Sequence, residues 1–426
     1  MAGATRSGKS FLRTFGPGLV TGAADDDPSG IATYSQGGAQ FGYALCWTMF
    51  LTTPFMIAIQ LVSARIGAVT GRGLAANLGK ALPVGALYGI VGLLLIANTL
   101  NLAADIAAMG EALRLVIGGP GLVYVVAFGI ACLAAEIAIP YHLYARYLKA
   151  LTLVLFAYVV AAFSVRIPWG EVLSATFLPR LSWNRDLMLM LVAIFGTTIS
   201  PYMFFWQASL EAEERKLRSR AKNGAAAIAR RLNDRQASRI GLDTAAGMML
   251  SNIVGFFIIV TTAATLHAHG KTDIATAAQA AEALRPLAGP FTFVLFSTGI
   301  IGTGLLAVPV LAGSAAYAVA DTFHWESSLE LPARRARGFY LIVAAATIAG
   351  LLVALTPLDP IRMLFWAAVV NGVVAVPLMV AMMIVVASRK IMGAFAASRA
   401  LMIFGWLATA LMAMVVVAMV TTSFGG

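Results

Sequence analysis

Apolar runs of about 20 residues recur along the chain, the length an α-helix needs to cross the hydrocarbon core of a bilayer. Short polar or basic segments separate them. Strict alternation of polar and apolar positions is absent, which argues against a membrane β-barrel. About eleven such runs can be read: Thr14 to Ala39, Ala44 to Val69, Gly85 to Met109, Leu122 to Ile139, Ala150 to Val165, Leu187 to Leu210, Thr244 to His267, Pro290 to Ala320, Gly338 to Thr356, Ile361 to Ala387 and Leu401 to Thr422. The pattern predicts an all-α membrane protein with about eleven transmembrane helices.

Two of these helices are broken. The first is interrupted by Asp25-Asp26-Asp27-Pro28-Ser29-Gly30 and the sixth by Gly196-Thr197-Thr198-Ile199-Ser200-Pro201-Tyr202. Each break opens a group of five spans. Matching interruptions in two halves point to a binding site built on inverted repeats. The predicted organisation is a single transmembrane domain. Repeat one covers about 14–165, repeat two about 187–387, and a polar cytoplasmic linker, 211–239, lies between the halves. An accessory helix over 401–422 falls outside the 5+5 pattern.

Composition supports the membrane reading. Apolar residues make up 60% of the 426 and charged residues 12%, about half the charged share of a soluble domain. The formal net charge of +11 lies in short segments between spans. Basic residues concentrate near the N-terminus (Arg6, Lys9, Arg13), at Arg65, Arg72 and Lys80, at Arg146 and Lys149, along Glu211 to Arg239, and at Arg334, Arg335, Arg337, Arg389, Lys390 and Arg399. The positive-inside rule then puts the N-terminus in the cytoplasm of a cell membrane, such as a bacterial inner membrane. Anionic headgroups explain this charge better than nucleic acid does. The basic N-terminus runs straight into the first span, so no cleavable leader is expected. Cys46 and Cys132 lie inside spans and read as core residues.

The breaks carry the candidate chemistry. Proline removes a backbone donor and frees carbonyls upstream. Freed carbonyls cannot face lipid and must line protein or a polar cavity. Together with a carboxylate they make a cation site, because hard cations take oxygen ligands. Asp27 is the first candidate ligand, as an intramembrane carboxylate marks an ion or proton path. Asp25 and Asp26 are further candidates, although helical neighbours diverge by about 100° and cannot all face one ion. Thr197 and Ser200 offer hydroxyls at the second break, either as ligands or simply bonded back to the preceding turn. Asp105 and Glu136 are intramembrane acids that read as a proton or ion relay, or as partners of a buried base such as Arg65 or Arg334. Asn252 and Asn371 read as interhelical hydrogen-bonding residues. The stretch Gly3 to Ser10 matches a P-loop letter for letter, but no strand precedes it and a membrane span follows, so nucleotide binding is not expected. His142, His267, His269 and His324 lie at span ends or in loops and make no zinc site. No nucleophile–base pair is visible, so no enzyme activity is expected.

At these residues the chain resembles the Nramp family of divalent-metal transporters. Gly16-Pro17-Gly18, Asp27-Pro28-Ser29-Gly30 and Ala39-Gln40-Phe41-Gly42-Tyr43 look like that family's first helix, whose core motif is Asp-Pro-Gly-Asn. The segment Gly196 to Ser209 resembles its sixth helix, whose motif is Met-Pro-His. The resemblance implies a LeuT-like fold, divalent-cation transport and alternating access. There are departures. Gly30 stands at the place of the binding asparagine, Ser200 at that of the methionine, Thr197 at that of a small alanine, and Tyr202 and Gln207 at those of histidines linked to proton movement. Asp105 matches the family's third-helix aspartate, with Ala108 where a glutamate is usual. An oxygen-only site suits magnesium and manganese better than softer metals, and the smaller Gly30 and Ser200 leave room for the waters magnesium keeps. The pattern resembles the magnesium-transporting branch of Nramp relatives. Two other functions fit the same breaks: a carrier of a small organic solute, and a non-transporting ion sensor read out through the basic linker.

Overall fold

A computed structural model describes residues 17–139, 153–179, 183–221, 234–329 and 331–424. The longer helices are α1 (Pro17–Asp25), α2 (Pro28–Phe41), α3 (Cys46–Thr70), α4 (Leu74–Leu78), α5 (Val84–Ile117), α6 (Gly121–Ala138), α7 (Phe156–Ser164), α8 (Trp169–Phe177), α9 (Arg185–Thr198), α10 (Pro201–Ala221), α11 (Asp234–Thr265), α12 (Thr292–Phe323), α13 (Arg337–Ala354), α14 (Pro360–Ala387) and α15 (Arg399–Phe424). The P-loop-like segment, Gly16, the basic residues at 140–149 and His142 lie outside the described residues.

Local sequence sets the helix ends. Asp27 caps α2 ahead of Pro28, which takes the first helical position without losing a needed donor. Asp359 and Pro360 repeat this arrangement at the start of α14. Asn184 caps α9 by accepting from the Leu187 N–H at 2.8 Å. Gly71 ends α3 with a left-handed φ of 66°, a conformation in which glycine carries no Cβ penalty.

Among the described residues, nine helical stretches are long and apolar enough to cross a membrane, or ten if α7 and α8, bent by 118°, form one span. The first stretch, Pro28–Thr70, is 43 residues long, about twice one crossing. Its two helices run in opposite directions. Along α1 and α2, Gly18 meets Thr244, Gly22 meets Gly247 and Gly38 meets Ile259, so residue numbers rise together with those of α11. Along α3 the order reverses. Met49 accepts from Asn252, while Gln60 reaches Thr244 through Gln207. That stretch therefore holds the second half of the broken first crossing and the whole of the next. The expected fifth span is described only from Leu153 onward.

The broken helices form the centre of the bundle. In the most apolar 18 residues of Arg185–Lys216, 94% are buried, against 22% for Gly121–Ala138, which turns Ile130 and neighbouring apolar side chains outward. Such outward apolar faces suit lipid contact. Each broken helix packs on the unbroken helix that follows its counterpart: α1 and α2 on α11, and α10 on α3. Glycines permit these close crossings. A Cβ on Gly67 would strike the Ala208 backbone, and one on Gly196 the backbone of α14 at Ala368 and Gly372. Residues 211–221 and 234–239 of the expected linker are helical and extend α10 and α11. Their Glu, Lys, Arg and Ala content has good helix propensity. The rest of that linker lies outside the described residues.

Candidate functional site

The first break leaves Asp27 between two helices. Its backbone is extended, with φ −74° and ψ 170°. Its Oδ1 accepts from the Gly30 N–H at 2.8 Å. Its Oδ2 accepts from the phenol of Tyr202, the second residue of α10, at 3.2 Å. The same phenol lies 3.3 Å from the carbonyl oxygen of Ala24, which it can also reach as donor. Asp27 is 2% exposed, so its charge is held away from water by one backbone donor and one hydroxyl. Among the described residues no Lys, Arg or His pairs with it.

The second break lies against the first. Thr197 is buried, and its Oγ1 has no hydrogen-bond partner. A Cβ on Gly30 would stand 3.2 Å from that hydroxyl and 3.6 Å from the carbonyl oxygen of Asp25. Gly30, Thr197 and a freed backbone carbonyl thus face one another. Ser200 is buried too, and its hydroxyl points back along α9, toward the Gly196 and Thr197 carbonyls at 3.0 and 2.8 Å. The back-bonded reading of Ser200 therefore describes its hydroxyl proton, while the oxygen keeps lone pairs.

The three consecutive aspartates do not converge. Asp25 and Asp26 point to α11, where the Ser251 hydroxyl lies 2.5 Å from Asp25 Oδ2 and 2.9 Å from Asp26 Oδ1. Asp27 points instead to α10. Among the described residues no group of three or more His, Cys, Asp and Glu side chains is placed to hold a metal ion. An ion at Asp27 would draw its remaining ligands from hydroxyls, carbonyls and water. Ser251 and the phenol of Tyr202 were not among the expected site residues. The one sequence signal that could have marked Ser251 is a hydroxyl beside Asn252 in an apolar run.

Asp105 and Glu136 part company. Asp105 is buried on α5, with both carboxylate oxygens unpartnered, and lies within electrostatic reach of Asp27. Met109, one turn along, meets Gly304 of α12, which also approaches Pro28. Glu136 on α6 accepts from Thr347 of α13 at 3.1 Å. Of the two readings of these acids, pairing with Arg65 or Arg334 is not found. Arg65 donates to the carbonyls of Phe395 and Ala396, and Arg334 is exposed. Asn252 bridges α11 to α3 through Met49, Thr52 and Thr53 as expected, whereas both side-chain polar atoms of Asn371 are unpartnered. Cys46 and Cys132 are buried free thiols.

Two broken helices meeting at a buried carboxylate inside an apolar helical bundle define a polytopic membrane protein of LeuT-like architecture. The family model described as natural resistance-associated macrophage protein-like matches residues 18–422, and the chain belongs to this family, Nramp. A protein from Pectobacterium carotovorum named divalent metal cation transporter MntH is 27% identical over 91% of this chain and 89% of its own length. A protein of the same name from Verminephrobacter eiseniae is 27% identical over 70% of this chain and 66% of its own length. Among solved structures, the manganese transporter of Eremococcus coleocola superposes with a TM-score of 0.74 at 16% identity, covering 99% of this chain and 88% of that one. The nucleobase-cation-symport transporter Mhp1 gives a TM-score of 0.57 at 12% identity, covering 96% and 92%. At these identities the structural matches speak to the fold alone.

Proposed function

We propose that this chain carries divalent metal cations across the membrane by alternating access, with Asp27 as the anchoring ligand at the helix breaks. One observation carries the reading. Asp27 is a buried carboxylate without a basic partner among the described residues, and it sits where two helices leave backbone oxygens free. Such a group calls for a counter-ion in the membrane interior. The names of the relatives, divalent metal cation transporter and manganese transporter, agree with that cargo.

The finer reading is an oxygen-only site favouring hard ions, magnesium or manganese. Asp27, Thr197, Ser200 and freed carbonyls supply oxygen, and Gly30 lets its backbone approach the Thr197 hydroxyl with no side chain between them. Asp25 and Asp26 belong to the site's electrostatics rather than its ligand set, since Ser251 holds both toward α11. Asp105, within electrostatic reach of Asp27, is the first relay acid, and Glu136, which accepts from Thr347 of α13, is the second. The N-terminus lies in the cytoplasm, with repeats over about 14–165 and 187–387 and an accessory helix over 401–422.

The test is divalent-ion uptake into proteoliposomes, comparing Mg2+ with Mn2+. The wild-type chain shows saturable entry of one or both, and Asp27→Ala, still monodisperse, shows none. Wild-type uptake by Asp27→Ala would sink the reading.

A further inference from the structure

Away from the breaks, a cavity of about 410 Å³ opens where the turn after α3 meets α10 and the C-terminal end of α12. Its floor is Gly73. This residue has an ordinary extended backbone, φ −67° and ψ 177°, so the chain conformation does not demand glycine. Space does. A Cβ there would run into the carboxylate of Asp321 and would come within 2.8 Å of the Ser209 hydroxyl. Two side chains from different helices thus crowd into the place where a side chain at position 73 would stand.

Ser209 is buried, at 4% exposed, and Asp321 is half-buried. The Oγ of Ser209 and the Oδ2 of Asp321 each lack a hydrogen-bond partner, although Asp321 also accepts from the Ala76 backbone. Glu213, one turn beyond Ser209 on α10, lines the same cavity and accepts from the Tyr317 phenol at 2.8 Å. Two carboxylates and a hydroxyl around a small gap form an oxygen-ligand set for a hard cation. Arg72 and Lys216 line the rim and face Asp321 electrostatically. Both are exposed. They neutralise the carboxylate in the absence of a metal and can turn to water when one arrives.

We propose that Asp321, Ser209 and Glu213 around Gly73 form a second divalent-cation site, distinct from Asp27. Its place follows from α10. That helix starts beside Asp27 at Tyr202, and Ser209 lies seven residues further on, about 10 Å along the axis. Trp206 and Tyr317, edge-to-face with ring centroids 6.1 Å apart, lie between the two. The cavity is therefore a station on one side of an aromatic layer, with the break on the other. Only the identity of the ion rests on the carrier reading.

The test counts bound Mn2+ on the full-length protein in detergent by electron paramagnetic resonance, with Asp27→Ala as background. Asp27→Ala is expected to keep about one ion per chain, and Asp27→Ala with Asp321→Asn to keep none. Ser209→Ala and Gly73→Ala keep every charge. On the same background, each is expected to weaken binding by about tenfold. The proposal is overturned if Asp27→Ala binds no Mn2+, or if its residual site survives Asp321→Asn. Failure of the carrier reading looks different. In that case wild type and Asp27→Ala bind equally, whatever the Asp321→Asn comparison gives.

Discussion

The phenol of Tyr202 spans the gap between the two helix breaks and meets Asp27 Oδ2 at 3.2 Å. It ties the half-helix after one break to the carboxylate at the other, so the ligand's orientation depends on both halves of the molecule. At this length the hydrogen bond is a modest one, worth about 1 kcal/mol. Tyr202→Phe keeps the ring's packing and removes only the hydroxyl. The apparent KM for Mn2+ or Mg2+ uptake is expected to rise roughly fivefold, with the maximal rate little changed. An unchanged KM would mean that the Gly30 N–H alone fixes the carboxylate.

Asp105 is expected to act on movement rather than on binding. Both its oxygens are unpartnered, and Asn101, one turn earlier on α5, has no partner for its amide either. A buried acid near Asp27 but bonded to nothing can exchange charge with the site without coordinating the ion. Asp105→Asn should lower uptake by at least about tenfold while Mn2+ affinity stays within about threefold. Flux and equilibrium binding measured on the same preparation decide this. Equal loss in both would place Asp105 among the ligands.

Ser200 offers a test of ion preference. Its hydroxyl bonds back to the Gly196 and Thr197 carbonyls, so its replacement costs local hydrogen bonds but leaves Asp27 untouched. A thioether at this place adds a soft ligand, and soft ligands favour the later transition metals over magnesium. Ser200→Met is expected to shift the ratio of Mn2+ to Mg2+ uptake toward Mn2+ by about tenfold, read from competition between the two ions. No shift would place the ion out of reach of position 200.

The breaks were legible in the sequence because proline and a run of acids inside an apolar segment cannot continue a lipid-facing helix. The apolar period gave the spans on similar grounds: a lipid solvent leaves helices little choice of length. The directions of side chains were not legible. Asp25, Asp26 and Asp27 are neighbours in sequence, and only the position of Ser251 on α11 and Tyr202 on α10 decides that two point one way and one the other. Glu136 shows the same limit. An intramembrane acid announces that it needs a partner, and only packing shows that the partner is Thr347 rather than an arginine. The helical ends of the linker were hidden for a different reason. A charged stretch reads as loop in a hydropathy pattern, yet Glu, Lys, Arg and Ala are good helix formers, so α10 continues to Ala221 and α11 already starts at Asp234.

Alternating access asks one half of a broken helix to leave its neighbours, and α1 is the half best placed to do so. It is nine residues long and rests on α11 through glycine. A Cβ on Gly22 would strike the Gly247 backbone, and one on Gly18 the backbone of Asp243 and Thr244. Contact this close is available only to glycine and holds α1 by packing and few bonds, among them the Gly18 N–H to Asp243 Oδ2 at 2.8 Å. A large side chain at Gly22 cannot fit this interface, so Gly22→Trp is expected to hold α1 away from α11. Thr21, fully buried, is the reporter. A Thr21→Cys thiol should react slowly with a membrane-impermeant maleimide in the parent chain, and at least about tenfold faster with Gly22→Trp, since opening converts a buried thiol into an accessible one. The native thiols Cys46 and Cys132 are buried and give a low background. Uptake should fall with the same substitution, because a carrier fixed in one state binds but does not turn over. Faster labelling with normal uptake would show that α1 is free to leave without being the moving part. Unchanged labelling would place the hinge elsewhere.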